Sequence, residues 1–176
     1  MQIRSAEPGD SGSIREIHLN AFDENERHAV ADLAAALLSE PSDPGALHLV
    51  AEDGGTIVGH VCFSPLFDRA KLECVGFLLA PLAVASSFQK RGIGSALVRE
   101  GLRRLEERHV DSVLVYGDPA YYGRFDFEVE TAKRFVLPFP LSQPDGWQVR
   151  LRDPGGFLDE VVRLDCVEPL RSPELW

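Results

Sequence analysis

A chain of 176 residues with 44% hydrophobic and 26% charged side chains lies in the ordinary globular range, and can bury about two-thirds of its unfolded surface without disulfides or metals. Lys and Arg number 18 against 28 Asp and Glu, and the net charge of −10 repels phosphate backbones and anionic lipid heads, which argues against nucleic acid and membranes as partners. Cys62, Cys74 and Cys166 match no zinc spacing, and no apolar run reads as a leader or a membrane span, so a cytoplasmic protein with reduced cysteines and no metal is expected.

Ile3–Ala6 reads as a short strand ending at Pro8, and Asp10 or Ser11 as the N-cap of a first helix whose apolar face carries Ile14, Ile17, His18, Ala21 and Phe22. The acidic stretch Asp23–Glu26 interrupts it. A second helix places Val30, Leu33, Ala34, Leu37 and Leu38 on one stripe and is closed by Pro41 and Pro44. The period then shortens: Leu47–Glu52 and Thr56–Phe63 flank the hairpin signal Asp53-Gly54-Gly55. Cys74–Val84 is almost continuously apolar, the pattern of a central strand covered on both faces, with Pro81 predicting a bulge or a splay inside it.

Gly92-Ile93-Gly94 opens a third helix that ends near His109, with Leu97, Val98, Gly101, Leu102 and Leu105 as its buried stripe. Ser112–Tyr116 is a further strand, followed by the aromatic segment Tyr121–Phe127. Arg134–Leu137 and Gln148–Leu151 read as strands, and Val161–Leu164 as either strand or helix. With no repeat or linker, residues 1–176 are expected to form one mixed α/β domain.

The segment from Leu79 to Leu97 joins an apolar strand to a helix through a loop with two basic residues and two glycines. That combination makes an anion site. The first N–H groups of a helix lack partners and carry the positive end of its dipole, glycine lets a phosphate approach the backbone, and Lys90 and Arg91 add charge in an otherwise acidic chain. A P-loop is absent, and Gly-x-Gly-x-x-Gly fails because position 97 is Leu.

What remains, Gln89-x-x-Gly92-x-Gly94, resembles the acyl-CoA loop of the GNAT superfamily of N-acetyltransferases. The preceding Pro81-Leu82-Ala83-Val84 is similar to the family's fourth strand, and Tyr121-Tyr122-Gly123-Arg124-Phe125-Asp126-Phe127 to the segment after its fifth. Gly59-His60 and Gly117–Tyr122 further resemble a bacterial branch of uncharacterised acetyltransferases.

The resemblance implies an α/β fold with a mixed, mostly antiparallel sheet splayed at the fourth strand and flanked by helices. It implies acetyl-CoA as cosubstrate, its pantetheine arm along Leu82, Ala83 and Val84 and its diphosphate on Gln89, Lys90, Arg91, Gly92, Ile93, Gly94 and Ser95. Tyr122 takes the position of the acid that protonates the departing thiolate, with Tyr121 the lesser candidate, and Arg124 is either a phosphate ligand or solvated. Two residues depart from the pattern: Asp126 replaces the usual Gly, and Asp118 lies closer to Tyr122 than the family's Asn.

The implied reaction is direct attack of an amine, a small molecule or a peptide, on the thioester in a ternary complex. Candidate bases are Glu24, Glu26, Glu73 and His60. Alternatives are an acyl-CoA sensor without turnover, and transfer of a longer acyl group or to a hydroxyl. A homodimer is compatible with the chain, and the segment after about Thr131 is expected to close the acceptor side.

Overall fold

The computed structural model describes residues 1–153 and 160–176. Strand β1 (Gln2–Ser5) leads through a 3₁₀ turn into α1 (Ser11–Ala21) and α2 (Arg27–Leu38). Strands β2 (Leu47–Asp53), β3 (Thr56–Asp68) and β4 (Cys74–Val84) follow, then α3 (Ile93–Glu107) and β5 (Ser112–Tyr116). After two short helical turns, α4 (Pro119–Tyr122) and α5 (Val129–Ala132), the chain adds β6 (Phe135–Val136), β7 (Trp147–Leu151) and β8 (Val162–Cys166).

The sheet runs β1-β2-β3-β4-β5-β7 and is antiparallel except at β4–β5, while β8 pairs with the far end of β3 and with β6. Its two faces are covered differently. Val61, Phe63, Phe77 and Leu79 face Leu97, Val98, Leu102 and Leu105 of α3. On the other side Val50 meets Ile14 of α1 and Ala34 of α2, and Cys62 and Leu78 meet Leu37 together with Leu164 and Trp147. The α3 stripe expected from the sequence is buried in full.

The central strand keeps its expected bounds, and Pro81 does perturb it. Val61 of β3 pairs with Leu82 and Phe63 with Leu79, so Ala80 and Pro81 together oppose Cys62, a bulge at the residue that cannot donate to a ladder. β4 pairs with β5 only over Phe77–Leu79. Beyond Leu79 the pairing with β5 ends, and Leu82–Val84 pair with β3 alone.

Two local readings need correction. Asp10 stands before α1, but its carboxylate does not cap the helix; it accepts two N–H bonds from Arg4, at 2.7 and 3.0 Å, and one from the Glu7 backbone at 2.8 Å. A guanidinium outcompetes a helix N–H for a carboxylate, so Asp10 ties β1 to the helix start instead. The strand expected over Arg134–Leu137 shrinks to Phe135–Val136. Leu137 precedes Pro138, which has no N–H to carry the ladder on. The ambiguous run near Val161 is a strand, with Val162, Leu164 and Cys166 buried and Arg163 exposed.

Candidate active site

The loop between β4 and α3 wraps one end of a groove of about 430 Å³. Gly92 is the N-cap of α3 and takes φ +80°, a left-handed conformation that glycine adopts without a Cβ penalty. The Gln89 side-chain amide donates to the Val84 carbonyl at 3.1 Å, which pins the loop to the end of β4. Leu82, Ala83, Val84, Gln89, Lys90, Gly92, Ile93, Gly94 and Ser95 all line this groove, so the residues assigned to the cofactor from the sequence converge on one surface. Arg91 is the exception. It does not line the groove, and its guanidinium lies over the Phe88 ring at 5.0 Å. Phe88 itself is a lining residue that the motif did not reveal; an aromatic two positions before a basic pair carries no signal of its own.

The aromatic segment closes the groove from the side. Asp118 accepts from the Ala120 N–H at 2.9 Å and caps α4, which starts at Pro119. The turn then presents Tyr121, whose hydroxyl lies 2.9 Å from where a Cβ on Gly94 would stand. Arg124 donates to the Tyr121 carbonyl at 2.8 Å, its guanidinium sits 4.6 Å from the Tyr121 ring centre, and it too lines the groove. Tyr122 turns inward to Tyr121, Phe127 and the backbone of Gly117 and does not line the groove. Burial raises its phenol pKa, with Tyr121 adding to the shift, so the proton is held firmly at neutral pH. Asp126 adopts φ +64°, so the left-handed turn that glycine usually supplies here is kept, on one of the few side chains that tolerate it.

On the other side of the splay lies a cavity of about 480 Å³, walled by Phe22, Val30 and Leu33, by Leu78–Leu82 of β4, and by Tyr116 and Trp176. A recess of about 720 Å³ adjoins it and shares Glu26, Tyr116, Glu174 and Trp176 as a common wall. Leu82 lines both the β4–α3 groove and the apolar cavity, so the two meet at the stretch of β4 that has left β5. Glu174, Leu175 and Trp176 of the C-terminal turns form part of this wall.

The four candidate bases separate. Glu26 lines the cavity. Glu24 is ion-paired with Arg27 at 3.2 Å on the surface, and Glu73 is exposed just before β4 begins, at the end away from the splay. His60 is wholly buried, and it joins two other histidines that the sequence did not connect. His18 Nε2 lies 2.9 Å from His60 Nδ1, His60 Nε2 lies 3.2 Å from His48 Nδ1, and His48 Nε2 lies 3.1 Å from the Leu37 carbonyl oxygen. His18 Nδ1 is buried with no hydrogen-bond partner among the described residues.

Burial lowers the pKa of all three, that of His18 to about 4, and each of its histidine neighbours further disfavours charge on His60. They are neutral in the folded chain at pH 7. Depressed values mean that the stability is fully present above the unfolded histidine pKa near 6.5 and is lost as the pH falls toward 4. His18 alone is worth on the order of 3 kcal/mol across that window. The urea midpoint is therefore expected to fall steeply between pH 6.5 and 4.5 and to be nearly level from 7 to 8; a level profile down to pH 4.5 would contradict the neutral assignment.

Residues 12–127 match the acetyltransferase (GNAT) family model. YjhQ of Escherichia coli strain K12, an uncharacterised N-acetyltransferase, is 34% identical over 136 residues, 76% of this chain and 74% of YjhQ. YhbS of the same organism, also an uncharacterised N-acetyltransferase, is 35% identical over 133 residues, 73% of this chain and 74% of YhbS. The crystal structure of Escherichia coli YhbS in complex with CoA superposes with a TM-score of 0.83 at 29% identity, covering 97% of this chain and 92% of that one. A GNAT family acetyltransferase from Brucella melitensis, solved with acetyl-CoA, has the same fold, with a TM-score of 0.72 at 24% identity over 96% of each chain. A family match over more than half the sequence, to the segment whose loop, splay and aromatic turn build the groove, shows that the chain belongs to the acetyltransferase (GNAT) family.

Proposed function

We propose that this protein is an N-acetyltransferase that moves the acetyl group of acetyl-CoA onto an amine bound in the cavity beside β4. The observation that carries this reading is the meeting of two cavities at Leu82. One is a groove with a helix N-terminus and basic residues suited to a diphosphate, the other an apolar chamber suited to an acceptor. The family and the CoA and acetyl-CoA complexes of YhbS and of the Brucella protein support the cosubstrate.

In this reading the pantetheine arm lies along Leu82–Val84, where β4 has no partner on the β5 side, and the diphosphate meets the amides from Gln89 to Gly94. The neutral amine attacks the thioester carbonyl carbon. The C–N bond forms, the C–S bond breaks, the nitrogen gives up a proton and the thiolate takes one. Glu26, on the cavity wall, is the carboxylate best placed to receive the first proton through water.

For the second we retain Tyr122, a protonated phenol beside the groove. The position of the Tyr121 hydroxyl over Gly94 favours a second reading, in which Tyr121 takes that part. Thiol release under saturating acetyl-CoA separates them. Tyr122→Phe is expected to lower kcat by about 10²-fold or more, the ordinary worth of a positioned acid, and Tyr121→Phe to act mainly on the KM for acetyl-CoA. The reverse pattern would transfer the role to Tyr121. The three unpaired cysteines support a cytoplasmic setting.

A further inference from the structure

We propose that the acceptor is a small aliphatic amine carrying a second positive charge, a diamine or a longer polyamine. This deepens the acetyl-transfer reading and rests on it.

The two cavities that meet at Leu82 are segregated by charge. The cofactor groove is lined by Lys90 and Arg124 and, among the described residues, by no carboxylate. The acceptor cavity and its recess are lined by Glu26, Glu174, Asp118 and Asp145, and among the described residues by no Lys, Arg or His. Glu26, Glu174 and Asp145 have no ion-pair partner among the described residues, so their charge is available to a ligand. The cavity and the diverging strand define the site; the carboxylates select what enters it.

Its chemistry also changes with depth. Next to the splay the wall is apolar, formed by Phe22, Leu79, Pro81 and Leu82, whereas the carboxylates gather toward the recess. The reacting nitrogen must be neutral when it attacks, and an apolar surround favours loss of its proton. A second nitrogen several bonds away remains an ammonium, and it would come to rest in the recess. There it meets carboxylates and the aromatic rings of Tyr116 and Trp176, which attract cations through their faces. An amine ending in a carboxylate would meet repulsion at the same place. Clefts lined by one sign of charge raise the capture rate of an opposite ligand by about 10- to 10³-fold, an effect that salt weakens.

Three acceptors of equal chain length isolate the distal charge: 1,4-diaminobutane, n-butylamine and 4-aminobutanoate. With saturating acetyl-CoA, kcat/KM by thiol release is expected to fall at least tenfold from the diamine to butylamine, and further to aminobutanoate. The diamine's advantage should shrink as the salt rises from 20 to 500 mM. Glu174→Gln and Asp145→Asn are expected to raise the diamine KM several-fold with no matching rise in the KM for acetyl-CoA.

Equal turnover of the three, preference for butylamine or aminobutanoate, or inactivity on all three would overturn the proposal. So would a lysine peptide turned over faster than the diamine. In each of these cases a melting-temperature rise with acetyl-CoA would leave the acetyl-transfer reading standing. Absence of that rise, together with no thiol release from any acceptor, would remove the parent reading instead.

Discussion

The Gly92→Glu variant is expected to show no rise in melting temperature with acetyl-CoA, where the parent chain gains about 5–10 °C at a hundredfold excess over Kd. Gly92 caps α3 in a left-handed conformation, and a Cβ built there meets nothing within 4 Å. The first atom of the new side chain therefore meets open space, and the substitution brings a negative charge to the loop proposed to hold the diphosphate. Forcing a non-glycine residue into that φ costs about 1–2 kcal/mol, so the unliganded variant should melt only a few degrees lower. The separation of the two effects is the test. A folded variant that still responds to acetyl-CoA would show that the loop does not hold the phosphates. Gly92→Ala, which carries the strain without the charge, should keep part of the response.

Gly101→Ala is expected to destabilise the chain although it adds a single methyl group. By helix propensity it should help, since Gly in a helix interior is about 1 kcal/mol worse than Ala. Packing reverses the sign. A Cβ at position 101 would lie 2.1 Å from Cε2 and 2.3 Å from Cζ of Phe63, a fully buried ring on β3, so ring or helix must shift. Overpacking of this kind costs about 1–3 kcal/mol or more. Set against the propensity gain, a net loss of up to about 2 kcal/mol follows, or on the order of 4–8 °C in melting temperature. Because α3 carries Gly92, Gly94 and Ser95 at its other end, a displaced helix should also weaken acetyl-CoA. Pairing the change with Phe63→Leu should recover part of both losses. A neutral or stabilised Gly101→Ala would mean that α3 sits farther from β3 than this packing allows.

Most of the lining of the β4–α3 groove was legible in the sequence because it is contiguous, Tyr121 and Arg124 apart. Leu82 to Ser95 is a single strand–loop–helix stretch, and the chemistry of glycines and basic residues at a helix start is local. The bounds of β4 and the stripe of α3 were legible for the same reason: hydrophobic period is a local signal. The cavity on the other side of the splay, proposed to take the acceptor, was not. Its walls come from Phe22, Leu33, Leu82, Tyr116 and Trp176, drawn from both ends and the middle of the chain, and no spacing rule links them. The histidines share that difficulty. Only His60 stood out, and its partners His18 and His48 reach it through the register of β2 on β3 and the packing of α1. Asp10 does occupy the N-cap position of α1, but its carboxylate is taken for a related reason: Arg4, which holds it, belongs to a neighbouring strand rather than to the helix being read.

The buried histidines also form an ordered series with a direction. The Leu37 carbonyl can only accept, so the His48 nitrogen facing it must carry the hydrogen, and its other nitrogen must be bare. That obliges His60 to donate from Nε2 and accept at Nδ1, which in turn obliges His18 to donate from Nε2. Three tautomers are thus set by one peptide oxygen at the end of α2, and a lone pair is left on His18 Nδ1, at the opposite end, one helical turn before Phe22 of the cavity wall. The state of that nitrogen is decided two rings away. Position 48 behaves as the first member of an alternating code, in which a side chain that can both donate and accept preserves the pattern, and one that cannot erases it at His60 and His18 together.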